Sequence, residues 1–320
     1  MQPSRLLSAV VAMLAAVAIE TPAAALQTFR GGTPVGQNFT FLPLRIAEQK
    51  GFFAKNDLDI EVTDFNGGAK LQQGFVAGAI DLAVSAGTDM AFIAKGADER
   101  AIAVAGDGTT LALLVPWNLP AKTPLDLKAK HVGVSTEGSF TEWTMKHYLR
   151  QHGLPLNYVQ IEPIGSGVAN DIALLTTGRI DAVVAPAALG FNLELKKHAR
   201  LLIPHFNLGM AFIGQALYAS GPMIREHPDA ARRFVKAWFE NIAWMASHRA
   251  ETIDIARSYT HFVPSVEARE YDEDMPMFSR TGQFSDPALR NLGQSFVDMG
   301  VLPKPPDMAK LITRGFLPKP

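Results

Sequence analysis

Short apolar runs alternate along this chain with stretches whose apolar residues recur at helical spacing. Residues 26–32, 58–65, 80–85 and 101–105 read as strands, and residues 41–49, 70–77 and 90–95 as helices between them. Pro116, Pro120 and Pro124 then interrupt the rhythm over residues 111–124, which marks a change of domain. A second rhythm follows, with strands at 131–134, 158–162 and 180–185 and helices at 140–152, 168–177 and 188–197. The apolar segment 211–220 reads as a strand returning to the first domain. Beyond it the pattern is helical. The clearest helix spans 229–248, with Pro228 near its start and Ala231, Phe234, Val235, Trp238, Phe239, Ile242 and Met245 on one face.

Alternating strands and helices specify an α/β fold with mostly parallel sheets. The expected architecture has two lobes, the second (116–212) inserted into the first (26–112 and 215–320), with connecting segments near 111–118 and 211–217. In open α/β sheets ligands collect at the carboxyl ends of strands, and clefts between domains are preferred sites. Both tendencies point to the strand-to-helix junctions.

The first 25 residues follow a different plan. Arg5 precedes an apolar run from Leu6 to Ile19, and Ala23, Ala24 and Ala25 supply the small residues of a cleavage site before Leu26. That is the layout of a secretory signal peptide, and the run is short for a membrane span. About 295 residues remain, enough for one large domain or two ordinary ones. The chain has no cysteine, so an exported product must rely on core packing, for which 48% hydrophobic content suffices. A net charge of −1 gives no electrostatic footprint for nucleic acid.

The junctions carry the candidate chemistry. Ser139 and Glu142 stand in the S-x-x-E relation of a capping box after the strand at 131–134. A helix start leaves backbone N–H groups free at the positive end of its dipole, suited to an anion or carbonyl oxygen. Thr136, Gly138, Ser139 and Phe140 belong to this junction, and Trp143 is either helix core or a ring that stacks on a ligand. In the first lobe Asn38 and Thr40 can cap a turn or donate to a guest, with Phe39 as an apolar wall. Gly68 and Lys70 follow the second strand, and Ser85, Gly87 and Thr88 the third. Gly165, Gly167 and Val168 open a further helix, and Pro186 closes the last strand of the inserted lobe.

Several chemistries are disfavoured. The Gly67-Gly68 pair lacks the remainder of a P-loop, and Gly165-Ser166-Gly167 lacks the final glycine and ribose-binding acid of a dinucleotide site. Ala83-Val84-Ser85-Ala86-Gly87 lacks the first glycine of a nucleophile elbow. None of the eight histidines shows metal-ligand spacing. Ionisable groups at the junctions reduce to Lys70, Asp89, Glu137 and Glu142, which favours binding over acid–base catalysis.

Four segments carry a family likeness: Gly51-Phe52-Phe53-Ala54-Lys55-Asn56-Asp57-Leu58-Asp59-Ile60-Glu61-Val62, Gly67-Gly68-Ala69-Lys70, Asp126-Leu127-Lys128-Ala129-Lys130-His131-Val132-Gly133-Val134, and Gly78-Ala79-Ile80-Asp81 with its echo Gly178-Arg179-Ile180-Asp181. Together they make the chain resemble the nitrate/sulfonate/taurine branch of periplasmic substrate-binding proteins of ABC importers. The resemblance implies a type II periplasmic fold closing on a solute, transient delivery to an inner-membrane permease, a single copy, no cofactor and no reaction. It places ligand loops around Asn38, Phe39, Ser85, Thr88, Ser139 and Gly167. A small organic anion of sulfonate or carboxylate type is expected, held by helix N-termini and hydroxyls. The alternatives are a neutral pyrimidine-type precursor and a binding protein that reports to a sensor. An enzyme on the same scaffold is a further alternative, although the eukaryotic thiamine-pyrimidine synthases carry a cysteine-rich motif absent here.

Overall fold

The computed structural model describes residues 27–317 without residue 166, so the expected signal segment lies outside the described residues. The strands are β1 (Thr28–Thr33), β2 (Asp59–Asp64), β3 (Leu82–Ala86), β4 (Glu99–Asp107), β5 (Leu111–Pro116), β6 (His131–Val134), β7 (Gln160–Pro163), β8 (Ala182–Pro186), β9 (Ala199–Ile203) and β10 (Ile213–Ser220). They form two five-stranded sheets, ordered β2-β1-β3-β10-β4 and β7-β6-β8-β5-β9. The plan is the same twice. Three parallel strands lead, and a strand arriving from the other lobe then pairs antiparallel, β10 with β3 and β5 with β8.

Position in the sheet explains each strand's composition. β10 is buried at every residue, and its sequence is mostly apolar apart from Gln215 and Ser220. β2, at an edge, alternates buried and exposed residues over its first four positions. The segment expected as the first connector is instead strand β5, whose Leu113, Leu114 and Val115 are fully buried. Its closing Pro116 is tolerated at the end of the strand, where it faces Ala199 of β9. Leu111 and Ala112 thus sit in the second sheet, and the crossings shift to residues 108–110 and 204–212. β9 was not anticipated, because its half-buried Ala-Arg-Leu-Leu-Ile sequence has neither strict alternation nor turn residues before it.

Helices cover both faces of each sheet. The long helix Pro228–Ser247 buries Ala231, Phe234, Val235, Trp238, Ile242 and Met245 in one core of the first lobe, as its periodicity predicts. On the opposite face of that sheet, Leu71 and Phe75 of helix Gly68–Val76 and Leu292 and Phe296 of helix Asp286–Asp298 share a second core.

Apolar contacts beyond the crossings also join the lobes. Phe140 and Trp143, on helix Phe140–Gln151, stack on Phe212 of the returning crossing, with ring centroids 5.6 and 4.2 Å away. Helix Pro264–Asp274 lends Val266 to the second lobe's core and Tyr271 to the first lobe's core, while Arg269 lies 3.5 Å over the Phe191 ring.

Because Trp143 is sealed in that stack, Trp143→Ala should cost about 3–5 kcal/mol in chemical denaturation. A tryptophan on an open ligand wall would cost closer to about 0.5 kcal/mol.

Candidate ligand-binding cleft

The carboxyl ends of both sets of parallel strands open onto one cavity of about 440 Å³, lined from both lobes. That volume suits a small organic molecule. Helices Gly68–Val76, Phe140–Gln151 and Val168–Thr176 begin at its wall.

These three starts differ in how they are capped. Ser139 Oγ accepts from the Glu142 N–H at 3.3 Å and also bonds Thr141 Oγ1 at 2.9 Å. The Glu142 carboxylate accepts from the Gly138 N–H at 2.6 Å and pairs with Lys146. This junction therefore satisfies much of its own polarity. In contrast, the helices at 68 and 168 have glycine N-caps, Gly67 (φ 131°) and Gly167 (φ 143°), with no side-chain capping hydrogen bond among the described residues. Such φ values suit glycine, and they leave the amides available to a guest.

Of the residues expected at the site, Asn38, Thr40, Gly68, Ser85, Thr136, Gly138, Ser139, Phe140, Gly165, Gly167, Val168 and Pro186 line the cavity. Asn38 Oδ1 is taken up by Thr40, whose N–H and hydroxyl it accepts at 3.0 and 2.9 Å. Lys70 lines an adjoining recess that shares Gln37, Gly67, Thr136, Gly165, Gly167 and Val168 with the cavity. Four expected residues do not reach the cavity, each for a packing reason. Phe39 is fully buried against Tyr271 and Phe278 in the first-lobe core. Thr88 is buried, and Trp143 is in the aromatic stack. Gly87 is required by the fold, since a Cβ there would sit 2.0 Å from the Ile213 carbonyl oxygen.

Sequence patterning placed Asp89 and Glu137 at the junctions but missed Asp171 and Glu270 in the wall. Asp89, Asp171 and Glu270 all line the cavity and are buried, whereas Lys95, the basic residue among the lining residues, is exposed. Asp89 accepts from the Ser85 hydroxyl, and its carboxylate lies where a Cβ on Gly68 would come within 2.9 Å. Burial, opposed by the Ser85 hydrogen bond and the nearby Gln72 amide, raises its pKa to about 6. Burial alone raises Asp171 to about 7. Glu270 is pushed well above the carboxylate range by burial, then by Asp274 and Glu267 on its own helix. Behind Asp89, Glu99 is fully buried and rises to about 8 through burial and the nearby Asp89. An acidic residue inside a helix, such as Asp171, gives no local signal of facing a cavity. Glu270 arrives from a helix far along the chain.

A family model described as NMT1/THI5 like matches residues 38–252. The chain belongs to the NMT1/THI5-like family. An aliphatic sulfonates-binding protein of Bacillus subtilis (strain 168) is 27% identical over 232 residues, 69% of this chain and 67% of that protein. The alkanesulfonate-binding protein SsuA from Xanthomonas axonopodis pv. citri, solved bound to MOPS, superposes with a TM-score of 0.76 at 20% identity, over 90% of this chain and 98% of that one. The desulfurization enzyme DSZB shares the fold at a TM-score of 0.65 and 14% identity, over 90% of this chain and 97% of DSZB. This member of the NMT1/THI5-like family thus has the periplasmic binding protein fold, on which both binding proteins and an enzyme are built.

The raised carboxyls set the sign of a pH dependence. Between the unfolded pKa near 4.5 and the folded value near 8, the unfolded chain releases the Glu99 proton while the folded chain keeps it. Stability then falls as pH rises, by up to about 1.4 kcal/mol per pH unit for each such group. The melting temperature of this family member should drop from pH 5 to pH 8, and Glu99→Gln should raise it at pH 8 and flatten the slope.

Proposed function

We propose that this chain is the solute-binding component of an ABC importer. It captures a small organic molecule between its lobes and passes it unaltered to a membrane permease, working outside the cytoplasm after removal of the leader at residues 1–25. The observation that carries this reading is the shared cavity, built from both lobes and bordered by two helix starts whose glycine N-caps leave amides free. An acidic group on the solute, as in the sulfonates named for the relatives, would be held by those first-turn amides and by the neighbouring hydroxyls.

Binding without reaction is supported by where the lining hydroxyls point. Ser135, Ser139 and Thr141 bond one another, and no histidine lies among the lining residues. Ser85 does face Asp89, but both are buried and the Ser85 hydroxyl is held by that carboxylate.

A thermal-shift screen tests the proposal. A ligand of the folded state at a hundred times its Kd stabilises by about 2.7 kcal/mol. At least one organic acid among sulfonates, aromatic carboxylates and aliphatic carboxylates should raise the melting temperature by several degrees and be recovered unchanged. A recovered reaction product would overturn the binding reading in favour of catalysis.

A further inference from the structure

Helix Pro264–Asp274, which touches both lobes, sorts its acidic residues by side. Asp272 and Glu273, on the more exposed side, are paired: Arg249 holds Asp272 at 2.7 Å and Arg269 holds Glu273 at 2.7 Å, with His205 of the crossing on the same Glu273 carboxylate. Glu267, Glu270 and Asp274 form another stripe and are 0, 2 and 3% exposed. None of these three takes an ion pair among the described residues. Arg257, the cation that acts on Glu267, pairs with Asp254 instead. The Thr260 hydroxyl donates to Glu267 Oε2 at 2.6 Å, and the Phe39 N–H lies near Glu270. Glu267 Oε1 and Glu270 Oε2 are buried with no partner among the described residues, although the two carboxyls lie beside each other.

Three buried carboxylates on one stripe lose their hydration and repel one another, so they do not all ionise there. Burial, reinforced by neighbouring carboxylates, pushes Glu270 and Asp274 well above the carboxylate range, and burial raises Glu267 too. A protonated carboxyl is also a donor. One proton between Glu267 and Glu270 therefore gives both orphaned oxygens a partner at once. A metal ion fits less well, because no cluster of suitable ligands occurs among the described residues. A buried water would supply donors and leave the repulsion in place.

We propose that Glu267, Glu270 and Asp274 form a buried proton-binding site that locks this helix between the lobes, so that loss of the protons opens the cleft. Placement supplies the coupling. Glu267 is bonded to Thr260 at the end of helix Arg249–Thr260, Glu270 borders the cavity, and Val266 and Tyr271 of the same helix belong to the cores of opposite lobes. Ionised carboxylates demand water, and water reaches the stripe when the helix parts from one lobe. The closed form then holds more protons than the open form, and raising the pH favours opening. The charged groups packed around the stripe are Arg257, Arg249 and Arg280 near Tyr271, and the cluster of His205, Arg269 and Glu273. An imidazole loses positive charge as pH rises, so release of His205 from Glu273 acts in the same direction and needs its own control. The lock requires no particular solute.

The chain has no cysteine, so spin labels can be placed at Lys70→Cys and Ala169→Cys, which line the recess beside the cavity from opposite lobes. In the full mature chain without solute, pulsed electron-spin distances should show mainly the short separation at pH 6 and a longer population at pH 9. The open-to-closed ratio should rise by up to about tenfold per pH unit for each proton released. Glu267→Gln and Glu270→Gln should each reduce that rise at least about twofold, and the double variant should nearly abolish it. Glu99→Gln and His205→Gln should keep most of it. Circular dichroism shows whether each protein is folded at both pH values, and should one variant fail to fold, the other and the wild type decide. The lock is overturned by a separation that stays constant from pH 6 to pH 9, or by unfolding of the wild type with no prior separation. A pH response that survives in both glutamine variants, or vanishes in His205→Gln, overturns it as well. None of these results alters the solute-binding reading, which the thermal-shift screen decides separately.

Discussion

Everything at the cleft depends on how two strands cross between the lobes. β10 enters the first sheet with Gln215 opposite Ala86 and Ala216 opposite Ser85, at the carboxyl end of β3. β5 enters the second with Leu111 opposite Pro186 and Ala112 opposite Ala185, at the carboxyl end of β8. Each crossing strand starts its backbone ladder at the edge where the parallel strands stop. The two carboxyl edges must then face each other across the crossings, and the helix starts that follow the strands line the space between. The close approach of Gly87 to Ile213 belongs to the same constraint, because the turn after β3 must pass directly beside the incoming chain.

Within that frame, polarity is divided unequally among the junctions. The start at Phe140 is closed by Ser139, Thr141 and Glu142, which hold one another and so fix the shape of the wall. The starts at Gly68 and Val168 have no such side chains. Carboxyl groups stand close to both open starts, Asp89 by position and Asp171 by sequence. A negative charge near a helix N-terminus is favourable on its own account. The raised pKa values of both groups nevertheless show burial outweighing the dipole and the local hydrogen bonds.

Hydrophobic periodicity made most of the fold legible, and the reasons it failed are local. The strand-to-helix rhythm and the buried face of Pro228–Ser247 could be read because long apolar stripes have one physical solution. β5 was hidden by the prolines that follow it, since a proline at the last position of a strand resembles one that forbids the strand. The junction loops were found because small residues must occupy the carboxyl ends of buried strands. Which side chains of those loops face inward could not be read. Phe39 and Thr40 are adjacent and both buried, yet one packs in the core and the other lines the cavity. Glu270 was beyond reach for a different reason. Its helix shows Glu267, Glu270 and Asp274 on one stripe with Val266 and Tyr271 nearby, which reads as an ordinary amphipathic surface until the two lobes are packed around it.

That helix also constrains how the lobes move. Pro264–Asp274 is fixed to the first lobe by Tyr271, against Phe39, and to the second by Val266 and by Arg269 over Phe191. On the far side of the cavity, Phe212 holds Phe140 and Trp143. Opening therefore cannot swing on the two crossings alone: at least one of these apolar contacts has to part or slide. A ligand shifts such an equilibrium only by its difference in affinity for the two states. Groups that touch the guest from a single lobe bind it equally well open or closed and contribute nothing to closure. The cavity is lined from both lobes, so a guest that engages both converts its binding energy into the preference that holds them together.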